Sequence, residues 1–398
     1  MIVLEIIFWI AFLLLLHSYV IYPLLLKFFS LFLSSKKNQL ENNQRMVYVV
    51  FSAYNEEKVI AQKLQSIFDS NYDLEKIKVW IGSDCSSDNT ENIIETFQIK
   101  YPKSIVLIKQ KERSGKSATL NLLFNQIKSQ VKPTDFEDTL LLLTDANIVF
   151  EKNMIQSLEK KFNEPTTGQV GARVINLLSA ERGIANHEQQ YISFENELKE
   201  AEGNLFGCTI GCFGAAYCIR LSLVENFPPN TLMEDFYESM MVLKSGYKSF
   251  QISDAICFED LPADIATEFR RKIRISAGNF QNLSTFKSLL NPKYGAIAFC
   301  FFSHKVIRWI GPFLLILILI LPFLLTIKSP IVYGSMTCGS IVFLLLYFIQ
   351  YLLWKKQATF IPLFKPIFYF AEMNRALYLG WKWYKSGITS SVWQPTTR

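Results

Sequence analysis

The chain has 398 residues, half of them hydrophobic and 19% charged, with a formal net charge of +6. That length buries a core without disulfides, and the apolar excess places the chain in the membrane class; so modest a charge suits an anionic membrane face and argues against nucleic acid as a partner. Seven cysteines with no CxxC pair and only three histidines argue against a zinc ribbon, a disulfide framework or a histidine triad, so any metal is expected on oxygen ligands.

Residues 1–34 hold an apolar run interrupted mainly by Glu5, His17, Pro23 and Lys27, long enough to cross roughly 30 Å of hydrocarbon at about 1.5 Å per residue. It lacks the short core and small-residue cleavage site of a signal peptide, so it is expected to stay as an anchor. Lys36, Lys37 and Arg45 follow, and the positive-inside rule puts the next domain in the cytosol. From 46 to 264 short β-branched or aromatic runs alternate with amphipathic stretches, an α/β pattern with strands expected at 47–52, 77–82, 105–109 and 139–144 and helices at 56–69, 90–101 and 116–130. Its polar loops follow the carboxyl ends of strands, where open parallel sheets place ligands. Residues 265–309 are basic and aromatic and read as interfacial helices. Residues 310–384 offer two strong spanning candidates, 310–327 and 331–354, and a weaker one at 360–383, before a tail at 385–398.

Five polar clusters carry candidate chemistry. Ser52, Tyr54 and Glu56 after the first strand, with Asp84 and the hydroxyls after the second, can hydrogen-bond a base and ribose; Asn55, Ser87 and Asp88 can equally well cap the helices that follow. Gly115-Lys116-Ser117 is not a P-loop, because position 110 is Gln, yet Lys116 at a helix start can meet an anionic diphosphate or stand in a solvated turn. Asp145 and Asn147, two apart at the end of an apolar strand, are expected to point the same way toward Mg²⁺ or Mn²⁺ and a diphosphate, with an ordinary Asx turn as the bland alternative. Asp235 is the candidate general base with Glu234 in support, against the alternative of acids that merely stabilise a helix N-terminus. Arg271 and Arg274, three apart on one helical face, can neutralise a diphosphate or bind anionic headgroups.

Taken in order, these clusters resemble the family 2 inverting glycosyltransferases, especially the membrane branch that includes cellulose, hyaluronan and poly-N-acetylglucosamine synthases. Ser83-Asp84 and Asp88 look like the family's nucleotide-contacting DDGSTD loop, and Arg113, Gly115 and Lys116 with Asn121 look like its GK…LN segment. Asp145-Ala146-Asn147 matches DxD, and Glu234-Asp235 matches TED, whose last residue is the base. Residues 211–220, with Gly211, Phe213 and Gly214, look like the acceptor-side loop, and 271–275 stands where the family has QxxRW. Three departures stand out: Asn147 for the second acid, Met233 for the threonine of TED, and Arg271 and Ile275 for the Gln and Trp of QxxRW.

The resemblance implies a GT-A (nucleotide-diphospho-sugar transferase, Rossmann-like) catalytic domain plus α-helical transmembrane segments, in a multi-pass cell-membrane protein with the catalytic domain cytosolic. It implies a UDP-sugar donor, Mg²⁺ or Mn²⁺, and a saccharide acceptor in polysaccharide synthesis, with envelope or export proteins as partners. Transfer of one sugar to a lipid or lipid-linked acceptor, and a non-catalytic scaffold keeping a transferase-like domain, stand as alternatives.

Overall fold

The computed structural model describes residues 1–32, 44–176, 185–259, 265–356, 361–390 and 392. The flanking cations Lys36 and Lys37, the expected boundaries at 34 and 264, and half of the tail lie outside these residues. The N-terminal run is α1 (Ile2–Leu16) and α2 (Tyr22–Ser30), joined by a π-helical turn at His17–Ile21. The α/β segment follows as β1 (Met46–Ala53), α3 (Ile60–Phe68), β2 (Ile77–Ser83), α4 (Thr90–Lys100), β3 (Ile105–Lys109), α5 (Lys116–Gln130), β4 (Thr139–Thr144) and β5 (Val149–Phe150). It continues with α6 (Met154–Lys161), β6 (Thr167–Asn176), α7 (Ala185–Phe206), β7 (Ala216–Arg220), α8 (Glu234–Lys244) and β8 (Lys248–Glu259). The rest is helical: α9 (Ile265–Phe286), α10 (Ala296–Cys300), α11 (Ile307–Trp309), α12 (Gly311–Leu325), α13 (Pro330–Lys355) and α14 (Lys365–Ser386).

The described chain divides into two compact units, one built on 26–264 with 286–300, the other on 1–25, 265–285 and 301–387. In the first, the strands form one mixed sheet in the order β3-β2-β1-β4-β7-β6-β8-β5. β3, β2, β1 and β4 run parallel, β7 is antiparallel to both β4 and β6, and β6 pairs parallel with β8. The period of two sorts side chains onto two cores. Val47, Val49 and Phe51 pack with Ile60, Leu64 and Ile67 of α3; Val50, Trp80, Leu141 and Leu143 pack with Leu120, Phe124 and Ile127 of α5. With both faces covered, the central strands need no polar alternation, which is why β4 reads Leu-Leu-Leu-Leu between threonines.

The helix expected from 56 begins only at Ile60. Asn55 stands at φ +55°, and the 56–59 stretch turns while its backbone and side chains bond to the loop after β2.

In the second unit, Phe8 of α1 packs with Leu321, Leu325 and Tyr333, and Ala11 packs with Ile307 and Leu314. Among the described residues two helices are long and apolar enough to cross a membrane, Ile2–Ser30 at 29 residues and Pro330–Lys355 at 26; the bent pair Ala296–Trp309 and Gly311–Leu325 makes a third if it is one span. The π turn lies just ahead of Pro23, whose ring cannot fit the regular i→i−4 ladder. The span expected at 310–327 contains α12, 15 residues or about 22 Å at 1.5 Å each, and Pro312 at its start marks the break from the preceding helix at Ile310. In α9, Ser276 Oγ donates to the Leu377 carbonyl of α14 at 2.8 Å, and a Cβ on Gly380 would lie 2.3 Å from Ser276 Cβ, so small residues set that helix contact.

Candidate active site

The carboxyl ends of β1, β2 and β4 and the start of α8 supply the polar groups. Asp84 follows β2 and is 3% exposed; its carboxylate accepts from the backbone N–H of Ser114 at 2.7 Å and from that of Gly115 at 3.1 Å. The residue read as a nucleotide contact therefore fixes the loop ahead of α5. Above that loop the Arg113 guanidinium lies 3.6 Å from the Tyr54 ring centroid, a stacked cation–π pair that offers a flat face. Ser52 sits within β1 opposite Gly82.

The helix-cap reading of the first two loops and the ligand reading overlap. Asp88 Oδ1 caps its own helix by accepting from Thr90 N–H at 3.0 Å, while its Oδ2 accepts from Glu57 N–H of the neighbouring loop at 3.1 Å. Asn55 Oδ1 accepts from Ser87 N–H at 2.8 Å, and Glu56 N–H donates to Thr90 Oγ1 at 2.8 Å. The two strand-end loops are thus tied to each other.

Lys116 opens α5, and its Nζ lies 2.6 Å from Asp145 Oδ1 and 2.6 Å from Glu234 Oε1. Burial alone favours a neutral amine, but the two carboxylates outweigh it and hold the ammonium above the ordinary lysine range. Asn121, one turn along from Lys116, is occupied elsewhere: its amide accepts from Phe227 N–H at 2.7 Å and donates to the Phe227 carbonyl at 2.9 Å, pinning the loop that leads to α8.

β4 ends at Thr144, and Asp145-Ala146-Asn147 lies in a turn closed by Ile148 N–H on the Asp145 carbonyl at 3.3 Å. The period-two argument for Asp145 and Asn147 fails for that reason, since the extended backbone has already stopped. Thr144 Oγ1 donates to the Ala215 carbonyl at 2.6 Å and accepts from the buried Lys63 Nζ at 2.8 Å, which anchors the corner to α3 and β7. Burial pushes the Lys63 amine well below its usual range.

Asp235 starts α8 and accepts from Phe236 N–H at 2.8 Å. Burial, and after it the neighbouring Glu234 charge, raise its carboxyl above the usual carboxylate range. Two glycines let the 211–214 loop pass over this helix start: Gly211 at φ +78° would put a Cβ 2.5 Å from the Phe236 ring, and at Gly214 a Cβ would lie 3.0 Å from Asp235 Oδ2. Phe213 between them lies under the Lys199 ammonium, 3.3 Å from its ring centroid.

Lys116, Thr144, Gly214, Tyr217, Glu234 and Asp235, with Leu120 and Leu143, line one cleft. Arg271 and Arg274 lie on α9 in the helical unit, where Arg271 Nη1 is 3.4 Å from Glu268 Oε2.

A divalent cation is implied by the resemblance, and the donor set fits one on restricted terms. Among the described residues no group of three or more His, Cys, Asp or Glu side chains converges on a metal position. Asp145 and Asn147, both half-buried, offer a carboxylate and an amide oxygen. A hard ion that keeps waters and shares phosphate oxygens suits two such ligands.

Tyr217 in the cleft wall, and Glu238 bonded to it, were not singled out in the sequence. The signal for Glu238 was available: it stands four residues after Glu234 on the same helix face, with its tip bound to the Tyr217 hydroxyl at 2.6 Å.

Residues 48–217 match the family model Glycosyl transferase family 2, and residues 192–355 match Glycosyl transferase family group 2. The chain is 25% identical over 245 residues to probable glycosyltransferase YdaM of Bacillus subtilis, covering 58% of this chain and 55% of the relative. It is 26% identical over 156 residues to a beta-monoglucosyldiacylglycerol synthase of Trichormus variabilis, covering 39% and 30%, and 23% identical over 259 residues to an N-acetylglucosaminyltransferase of Rhizobium meliloti, covering 61% and 57%. The matched stretch thus spans about half the length of these relatives or less. Among solved structures, the mannosyltransferase PcManGT from Pyrobaculum calidifontis, in complex with GDP-Man and Mn²⁺, superposes with a TM-score of 0.67 at 17% identity over 95% of this chain and 99% of that one, which shows the shared fold. The match of residues 48–217 to Glycosyl transferase family 2, the glycosyltransferase relatives and the GT-A-like α/β fold together support a glycosyltransferase as the enzyme class.

Proposed function

We propose that the protein is an inverting glycosyltransferase that takes a sugar from a UDP-sugar and passes it to an acceptor hydroxyl deprotonated by Asp235. The observation that carries this reading is the cleft in which Lys116 bridges Asp145 and the buried Glu234 beside the half-buried Asp235. The Lys116 ammonium meets the donor's diphosphate as it leaves, and the tied loops around Asp84, with Ser52, Tyr54 and Glu56, receive the nucleoside. A raised Asp235 carboxyl is a better proton acceptor than an ordinary aspartate, provided the pH keeps it ionised. Mg²⁺ or Mn²⁺ on Asp145 and Asn147, when bound, neutralises the diphosphate. Gly211, Phe213 and Gly214 line the acceptor side. Arg271 and Arg274 are proposed as further cations for the diphosphate.

The first acceptor reading is a saccharide in extracellular or cell-envelope polysaccharide synthesis, by a multi-pass membrane protein with its catalytic domain in the cytosol. The second is a lipid acceptor, favoured by the apolar helices Ile2–Ser30 and Pro330–Lys355 together with a match to proteins named for glucosyldiacylglycerol synthesis. Membranes containing the full chain, supplied with a panel of UDP-sugars and Mg²⁺ or Mn²⁺, test both. Turnover of at least one UDP-sugar is expected. A ladder of oligosaccharides supports the first acceptor and a single lipid-extractable product the second, while consumption of GDP-sugars alone overturns the donor assignment.

A further inference from the structure

Three carboxyls occupy the first turns of α8: Glu238 stands four residues after Glu234 and three after Asp235, which makes it a neighbour of both. Like charges so close and so buried cannot all ionise together. Their partners divide them. Glu234 has the Lys116 ammonium at 2.6 Å, and Asp235 has the Phe236 N–H at 2.8 Å. Glu238, 3% exposed, has the Tyr217 hydroxyl at 2.6 Å on Oε2, and its Oε1 meets no hydrogen-bond partner. Tyr217 in turn lines the cleft beside Glu234 and Asp235. From α5 the cation that faces Glu238 is Lys128, whose Nζ donates to the Val224 carbonyl.

We propose that Glu238 is a positioning residue for Asp235: bonded to Tyr217 in the cleft wall, it holds a proton while Asp235 carries the charge, and its ionisation makes the cleft hostile to an anionic diphosphate. The role of Glu238 toward Asp235 rests on the reading of Asp235 as the base. Burial, aided by the Glu234 and Asp235 charges and opposed by the Tyr217 bond and Lys128, pushes the Glu238 carboxyl up to about 8. Near pH 7 the protonated form dominates. A 2.6 Å contact between a phenol and a carboxyl is open to either donor, so with the proton on Glu238 the Tyr217 hydroxyl hydrogen is released to serve an acceptor in the cleft. Once Glu238 ionises, Tyr217 must donate to it, and a further negative charge stands behind Asp235.

The sign of the effect on stability follows from proton uptake. A carboxyl raised in the folded state keeps a proton that the unfolded chain has lost, so stability falls with rising pH from the ordinary glutamate range through about 8. The test uses the purified full chain in detergent, as parent, E238Q and Y217F. The unfolding midpoint is followed without ligand from pH 5 to 9.5, and the dissociation constant of UDP with Mn²⁺ is followed from pH 6.5 to 9.5. For the parent, the midpoint falls across the window and UDP binding weakens about tenfold between pH 7 and 9. E238Q loses the part of both dependences centred near pH 8, and Y217F, which removes the donor that favours ionised Glu238, moves that part to higher pH.

The same pH dependence in E238Q as in the parent overturns the proposal, and so does a Y217F profile that stays in place or moves down. Should E238Q fail to fold, the direction of the Y217F shift decides. Should UDP fail to bind, the ligand-free midpoints decide. An active D235N variant would overturn the base reading without touching these midpoints, so the two failures are distinguishable.

Discussion

The two ends of the site are organised by different forces. At the Asp84 end, backbone N–H groups of Ser114 and Gly115 bond a single carboxylate that has the Arg113 Nε 3.8 Å away, and side chains of two loops tie each other down through Asn55, Asp88 and Thr90. At the Asp235 end, one ammonium is shared between two carboxylates, and two further acids stand behind them with one hydrogen bond each. The first end is already shaped and has few charges to exchange. The second is an ionic arrangement whose charges a diphosphate and a cation can rearrange, which makes it sensitive to pH and to ligand.

The largest effect is expected where that contrast bears on proton transfer. Asp235→Asn keeps the shape and removes the base, so kcat/KM falls by about 10²–10⁴ with the dissociation constant of UDP little changed, read by turnover against equilibrium binding. In the parent, activity declines as the pH drops and Asp235 protonates, and the midpoint of this acid limb lies above the ordinary aspartate range. A limb at or below that range would show that Asp235 is not the titrating base.

Lys116→Met removes the shared ammonium and leaves Asp145 and the buried Glu234 facing each other. A loss of about 10²–10³ in kcat is expected from the missing electrostatic partner of the leaving group, along with a lower unfolding midpoint. Equal kcat in parent and variant would move the diphosphate site elsewhere.

Asp84→Asn acts at the other end, where it exchanges charge-assisted for neutral hydrogen bonds to Ser114 and Gly115. It is expected to raise the KM for the nucleotide sugar about tenfold with kcat within a factor of about two, since a bond to a charged group contributes about 1.5–3 kcal/mol. A fall in kcat without a change in KM would contradict the division between the two ends. The smallest effect belongs to Tyr54→Ala, which removes the face beneath Arg113 and should raise KM by about two- to fivefold, the scale of one exposed cation–π contact.

Much of the architecture was legible because it is local. The strands β1, β2, β3 and β4 and the helices α4 and α5 fall within a residue or so of the positions read from apolar runs and periodicity. Two departures came from polar contacts that reach across the sheet or break an element. The start of α3 was pushed from 56 to 60 by bonds between loops more than 30 residues apart, and the turn at Asp145 cut short an extrapolated strand. Motif order alone singled out Lys116, Asp145, Glu234 and Asp235, but their mutual contact was beyond it.

The sequence by itself determined an α/β segment between apolar helices and put its acids and its lysine at strand ends and helix starts, because hydrophobic period and turn chemistry act over a few residues. Only the tertiary structure decided which of these groups touch. The order β1-β4-β7 brings Tyr217 beside Leu143 and holds the residue after β4 within reach of Lys116, while the loop pinned by Asn121 leads into Glu234, Asp235 and Glu238 on α8. Charge sharing and proton affinity depend on separations of a few ångströms between residues tens of positions apart, and such separations are fixed by strand order and burial rather than by any local pattern.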